Sequence, residues 1–152
     1  MKDASDFGVL LGLAYGNFVA EMRADLAASG YADLHRSFGY VARLLDEYEA
    51  TVSEVAELLG LTNQGAVKVI DEMQAAGYMR RVSDPSDGRV RRVRLTSRGR
   101  EALGCARAFH ARFEAELAAR IGAERAATVR AVLTDLAAVD ASGATASRIR
   151  PM

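Results

Sequence analysis

Eight arginines fall between residues 78 and 100: Arg80, Arg81, Arg89, Arg91, Arg92, Arg94, Arg98 and Arg100. Two carboxylates, Asp84 and Asp87, share the segment and leave it a net charge of +6. A guanidinium is permanently charged, planar and rich in donors, so the cluster suits an anionic partner. The rest of the chain offsets this charge. Residues 1–50 hold 4 basic and 8 acidic side chains, and the 20 basic and 20 acidic residues of the whole sequence cancel. Total charge is therefore uninformative, and its distribution is not.

A second set of polar residues lies just upstream: Thr62, Asn63, Gln64 and Lys68. Asn63 and Gln64 can each present a paired donor and acceptor to adenine in the major groove of a duplex. Lys68 and the amides near Asn63 are expected at or near a helix start, where the dipole and unpaired N–H groups favour a phosphate. By themselves these are equally well polar residues on a solvated helix face. Arg89 is the sharper signal. Projected from the tip of a hairpin, its guanidinium fits a narrow, electronegative minor groove. Asp87 is placed to pair with an arginine or with turn amides and so to shape that tip. Arg91, Arg92 and Arg94 are expected to contact phosphates or to line the outer face of the hairpin.

Other chemistries find little support. A single cysteine, Cys105, cannot build a disulfide framework or a multi-cysteine zinc site within one chain. It falls within a helical stretch, in phase with Leu103 and Phe109, and reads as a small buried hydrophobe. Only His35 and His110 accompany it, and no metal-ligand cluster is visible. No nucleophile–base pair, Gly-rich phosphate loop or spaced carboxylate pair points to an enzyme, and no cofactor is expected. No apolar run approaches the ~18–20 residues of a membrane span. The start, MKDASDFG, lacks the basic and apolar regions of a secretory signal, so a soluble cytoplasmic protein is expected.

Helical spacing organises the chain that must position these groups. Leu10, Leu13, Ala14, Phe18, Met22 and Leu26 give a helix from Phe7 to about Ala28, with Asp3, Ser5 or Asp6 as caps and Ser29-Gly30 as its end. A second helix is expected from about Asp33 to Glu47, and Glu49 to Val52 as a short extended link. Ser53 is expected to begin a two-turn helix stopped by Gly60, with Leu61 packed beneath. Thr62 then caps a helix to about Ala76 that buries Ala66, Val69, Ile70 and Met73 and turns Asn63, Gln64, Val67, Lys68 and Asp71 outward. Tyr78–Ser83 and Val90–Leu95 are β-capable runs around the turn residues Asp84-Pro85-Ser86-Asp87-Gly88. Thr96-Ser97 caps a long helix to about Ile121. A last helix, from about Ala123 to Val139, carries Val129, Val132, Leu133 and Leu136.

Two helices joined by Gly60-Leu61-Thr62 and followed by a hairpin form a winged helix-turn-helix pattern. The run Val55-Ala56-Glu57-Leu58-Leu59-Gly60-Leu61-Thr62 resembles the first helix and turn of MarR-type regulators. Gly77-Tyr78-Met79-Arg80-Arg81 is similar to that family's exit from the recognition helix. Asp84-Pro85-Ser86-Asp87-Gly88-Arg89, with Leu95-Thr96-Ser97-Arg98-Gly99, resembles its wing and the start of the helix beyond. The match keeps order and spacing from about Val52 to Gly99. It departs at Gly65, where Ala or a larger residue is usual, at Val67, where Ser or Thr is common, and at Gly88, often a basic residue.

The resemblance implies a mainly α fold with a small β-hairpin wing, on a helical dimerisation base formed by the N- and C-terminal helices. It further implies a homodimeric, ligand-responsive transcription regulator, usually a repressor, that binds double-stranded DNA at an inverted repeat. In such dimers Thr51 to Ser53 would add a third strand beside the wing. The effector pocket would lie near Tyr15, Phe18, Tyr31, His35, Arg36 and Tyr40, with a small aromatic as ligand. The expected divisions are residues 1–32 for the first dimerisation helix, 33–97 for the winged lobe, 98–140 for the C-terminal dimerisation helices and 141–152 for a frayed tail. The stripes Leu10, Leu13, Phe18 and Phe109, Phe113, Leu117, Val132, Leu136 are expected to serve the dimer base. The competing reading is a winged-helix adaptor that docks proteins without binding DNA.

Overall fold

The computed structural model describes residues 6–138, so the expected caps Asp3 and Ser5, Val139 and the tail 141–152 lie outside the described residues. The chain divides into two compact units, the first reaching Asp33 and the second starting at Leu34. The first holds α1 (Phe7–Ala28), preceded by Asp6, whose side chain makes no capping bond. Its end is a left-handed turn. Gly30 (φ 90°) donates to the Ala27 carbonyl at 3.0 Å, and Tyr31 donates to the Leu26 carbonyl at 2.9 Å. These two bonds satisfy carbonyls that the helix would leave orphaned.

The second unit runs α2 (Phe38–Glu47), β1 (Ala50–Thr51), α3 (Val52–Leu59), α4 (Asn63–Ala75), β2 (Met79–Ser83), β3 (Arg91–Leu95), α5 (Ser97–Ile121) and α6 (Ala123–Ala138). The strands form an antiparallel sheet in the order β1-β3-β2. Val93 is the centre of the register, opposite Ala50 on one side and Arg81 on the other. This is a mainly α winged-helix fold with a small β-sheet.

Where boundaries differ from the sequence expectation, three have a visible cause. Helix α2 begins at Phe38 instead of Asp33, because His35 holds the preceding residues in a turn: its Nδ1 accepts the Ser37 N–H at 3.0 Å, and its carbonyl accepts the Phe38 N–H at 2.8 Å. Helix α3 begins at Val52, one residue before Ser53, with Thr51 as its cap. The Glu54 amide donates to Thr51 Oγ1 at 3.3 Å while the Thr51 amide donates to Glu54 Oε2 at 2.6 Å, a reciprocal box that satisfies two helix-end donors. Because Thr51 caps, the third strand ends there and covers Ala50–Thr51, without Ser53. Leu61 is not packed beneath the turn but 42% exposed.

The core explains the placement of the wing. Helix α4 buries Ala66, Val69, Ile70 and Met73, as its spacing requires, and the buried residues of the same unit include Val41, Val55, Val93, Leu95 and Leu103. Its exit is fixed by Gly77 (φ 81°) and by the Tyr78 amide, which donates to the Met73 carbonyl at 3.0 Å. The buried Tyr78 ring lies 5.3 Å from that of Phe38 and beneath the Arg98 guanidinium, which also donates to its hydroxyl at 3.1 Å. Thr96 joins the pieces: its hydroxyl donates to the Gly77 carbonyl at 2.6 Å and accepts the Gly99 amide at 3.0 Å. At Gly99 the backbones of α5 and Tyr78 approach so closely that a Cβ would sit 2.1 Å from the Tyr78 carbonyl oxygen.

Farther along, Phe109 is buried inside this unit, which removes it from the stripe expected to serve a dimer base. Phe113 and Leu117 are half-buried, and so is Cys105, expected to be buried outright. Helix α6 buries none of its residues and exposes Val129, Val132, Leu133 and Leu136 at helical spacing. Helix α1 exposes Phe7, Val9, Leu10, Leu11, Leu13 and Tyr15.

Candidate nucleic-acid interface

The turn between α3 and α4 is set by Gly60, in the left-handed region at φ 62°. Leu61 donates back to the Ala56 carbonyl at 2.9 Å, and Thr62 Oγ1 accepts the Gly65 amide at 3.1 Å to start α4. With its inner face committed to the core, α4 presents Asn63, Gln64, Val67, Lys68 and Asp71 to solvent. Asn63 is the first helical residue, whereas Lys68 lies in the second turn and not at the helix start.

The wing tip is built on Asp84. Its Oδ1 accepts the amides of Ser86 at 2.7 Å and Asp87 at 3.2 Å, and its Oδ2 accepts from Arg92 Nε. The Arg92 hydrogen bond, followed by the Ser86 amide, holds the Asp84 carboxyl below its ordinary titration range. Arg92 also donates from Nη1 to the Glu49 carbonyl at 3.0 Å, which ties the hairpin to the link before β1. Asp87 shapes the last turn: its Oδ1 accepts the Arg89 amide at 3.0 Å. The Arg89 side chain is exposed at this tip.

Not all the arginines face outward for a partner. Arg92 is half-buried and paired with Asp84, and Arg94 Nη1 lies 3.4 Å from Glu49 Oε1. Both pair within the fold because Glu49 and Asp84 flank the strand, whereas the sequence offered them as phosphate contacts or as lining of the hairpin's outer face. Arg81 reaches Asp71 at 2.7 Å and Gln74 at 3.1 Å. Arg91 is exposed and donates from Nη1 to Ser83 Oγ across the hairpin. The exposed set is therefore narrower than composition suggested: Asn63, Gln64 and Lys68 on α4, with Arg80, Arg89 and Arg91 on the wing.

Sequence reasoning missed Asp84 as the organiser of the tip. The signal was present in Asp84-Pro85-Ser86, since an Asp side chain commonly accepts the amide two residues on. Thr51-Val52-Ser53-Glu54 likewise spelled a capping box.

Of the residues expected at an effector pocket, Tyr15, Phe18 and Tyr31 belong to the first unit, with Tyr15 exposed and the other two half-buried. His35, Arg36 and Tyr40 belong to the second, with Arg36 exposed. Both nitrogens of His35 are occupied: Nδ1 by the Ser37 amide and Nε2 by Glu72 Oε2 at 3.4 Å. Burial, opposed by Glu72 and helped by Arg36, pushes its pKa down. Among the described residues, no cluster of His, Cys, Asp or Glu could hold a metal ion, and no helix is long and apolar enough to cross a membrane.

This geometry has a counterpart among known proteins, since a model of the MarR family matches residues 32–90. The matched segment is similar to the MarR family. No curated protein matches the chain. Solved structures do, over most of their lengths. Streptococcus pneumoniae FabT in complex with DNA superposes with a TM-score of 0.75 at 21% identity, covering 88% of this chain and 94% of that one. A transcriptional regulator (MarR family) from Rhodococcus sp. RHA1 gives 0.65 at 24% identity over 90% and 97%. A mutant of S. aureus MepR bound to an oligodeoxyribonucleotide gives 0.61 at 16% over 86% and 95%. At such identities the likeness is one of fold.

Proposed function

We propose that this chain is a transcription regulator that binds double-stranded DNA through α4 and the wing, acting as a homodimeric repressor at an inverted-repeat operator. The observation that carries the proposal is the sorting of cationic groups. Arg81, Arg92 and Arg94 are consumed in fixing the wing, while Arg80, Arg89 and Arg91 are left on its surface and Asn63, Gln64 and Lys68 on α4. Thr62 would add a hydroxyl at the start of α4. A helix in the major groove and an arginine at the adjacent minor groove are the contacts such a surface can make. Two relatives of the same fold, FabT and MepR, are described in complex with DNA or an oligodeoxyribonucleotide. The proposal includes a cytoplasmic location, in keeping with a DNA partner.

The exposed apolar rows of α1 and α6 support the dimer, because single soluble lobes rarely leave such rows uncovered. A small aromatic effector completes the proposal, with Arg36 as the exposed group able to meet a polar substituent. His35 is a weaker candidate than the sequence suggested, since both its nitrogens are engaged. A thermal-shift screen of small aromatics on the native protein and on Arg36→Ala tests this part.

The test of DNA binding is its salt dependence. Neutralising phosphates releases counterions, so affinity for duplex DNA must fall log-linearly with salt. A chain with no salt-dependent affinity for duplex DNA would be a winged-helix adaptor instead.

A further inference from the structure

Helix α4 shows one feature that hydrogen-bonding readout leaves unused. Val67 is 38% exposed, the large apolar side chain that this helix turns away from the core. It sits on the same row as Asn63, one turn before it, and Asp71, one turn after it, with Gln64 and Lys68 on the adjacent row. The Asp71 carboxylate is paired with Arg81, so the row does not end in an uncompensated negative charge. Val67 is thus an apolar knob in the middle of a polar, weakly cationic face. In the major groove the apolar group on offer is the C5-methyl of thymine.

We propose that Val67 is a specificity-determining residue that reads a thymine methyl in each half-site. The proposal rests on the DNA-binding reading of α4. Its isopropyl group is stiff at χ1 because of the β-branch, so the knob keeps one position relative to Asn63. A cytosine at the same step presents an amino group at the groove edge that valine cannot accept. Selectivity for thymine over cytosine follows from both the gained methyl contact and the unmet donor.

Replacing thymine by deoxyuridine removes that methyl and keeps every hydrogen-bonding group of the base pair. The full-length protein is first given its preferred duplex by selection from random sequences. Each thymine of that duplex is then replaced singly by deoxyuridine, and affinity is measured for the native protein, Val67→Ala and Val67→Thr. One thymine per half-site should be sensitive, with a loss of about fourfold, the equivalent of ~0.8 kcal/mol for one buried carbon group. Val67→Ala should bind the thymine duplex about that much more weakly and show no further loss with deoxyuridine. Val67→Thr, which keeps one methyl and the side-chain shape, should retain part of the sensitivity. Indifference of the native protein to every replacement overturns the assignment, as does sensitivity that persists unchanged in Val67→Ala. Failure to bind any duplex is a different result, and it removes the DNA-binding reading itself.

Discussion

Arg81, on the strand leaving α4, grips Asp71 of that helix at 2.7 Å. The same guanidinium takes the Gln74 side chain at 3.1 Å, so β2 and the outer edge of α4 are held together beyond their shared backbone turn. Asp71 is exposed and Arg81 half-buried, and pairs open to water in this way contribute about 0–1 kcal/mol to stability. The contact therefore matters more for alignment than for folding. Arg81→Met should leave the urea midpoint almost unchanged yet lower DNA affinity several-fold, through a misaligned wing and an unmasked Asp71 carboxylate. A large loss of stability would show that the pair is structural.

Gly99 is the position where the fold has no room. A methyl there would meet the Tyr78 carbonyl oxygen at 2.1 Å and Leu95 at 3.0 Å, backbone and core that cannot both retreat. Gly99→Ala should destabilise the protein by about 3 kcal/mol, the upper range for overpacking, as read from urea unfolding. Gly88, where a Cβ would meet nothing within 4 Å, is the control, and Gly88→Ala should be near neutral.

The wing tip should respond to acid late. Asp84 is ionised below the usual carboxylate range because it accepts from Arg92 and from the Ser86 and Asp87 amides. Its native form holds fewer protons than the unfolded one, so its contribution is complete above the ordinary value of about 4 and is lost as pH falls through the lower native value. The Ser86 and Asp87 amide resonances should stay fixed from neutral pH to about 4 and shift below it. A midpoint at or above the ordinary carboxylate range would contradict this. Asp84→Asn should loosen the tip at every pH.

The lone C-terminal row makes a prediction about assembly. Val132→Glu combined with Leu136→Glu places charge on a face that α6 does not use within its own unit. Sedimentation equilibrium should show a dimer for the native chain and a folded monomer for the variant. A variant that remains dimeric would move the interface elsewhere.

Fold and site were legible to different depths. Apolar spacing placed α1 and α4 and named the four core residues of α4, because a 3.6-residue repeat is a local property. The turn at Gly60, the cap at Thr96 and the limits of the wing were readable for the same reason. What the sequence obscured depends on partners distant in the chain. Arg92 and Arg94 read as surface cations until Glu49, more than forty residues earlier, appears beside them. Phe109 read as part of an intersubunit stripe, since periodicity marks an apolar face without saying what covers it. Asp33–Ser37 read as helix because Leu34 is in phase with Phe38, and propensity does not register the His35 side chain closing a turn.

Arginine roles provide an electrostatic prediction. Lys68→Ala should weaken all duplexes alike and flatten the salt slope by about one contact per subunit. Arg89→Ala should cost about 1–3 kcal/mol per half-site and relax preference beside the core repeat. Arg94→Gln, at a group already paired with Glu49, should change the slope little. Equal effects of Lys68→Ala and Arg94→Gln on the salt slope would dissolve the distinction between surface and structural cations.

The account stands on sequence-specific binding of duplex DNA by α4 and the wing, and one ratio tests it most directly. Fluorescence anisotropy at physiological salt would compare the duplex selected from random sequence with a scrambled duplex of the same composition. The selected site should be an inverted repeat with half-site centres roughly 10 bp or a multiple apart. It should bind at least about 10³-fold more tightly than the scrambled control, and Asn63→Ala with Arg89→Ala should collapse that ratio. Equal affinity for the two duplexes, or a ratio untouched by the double substitution, would contradict the account.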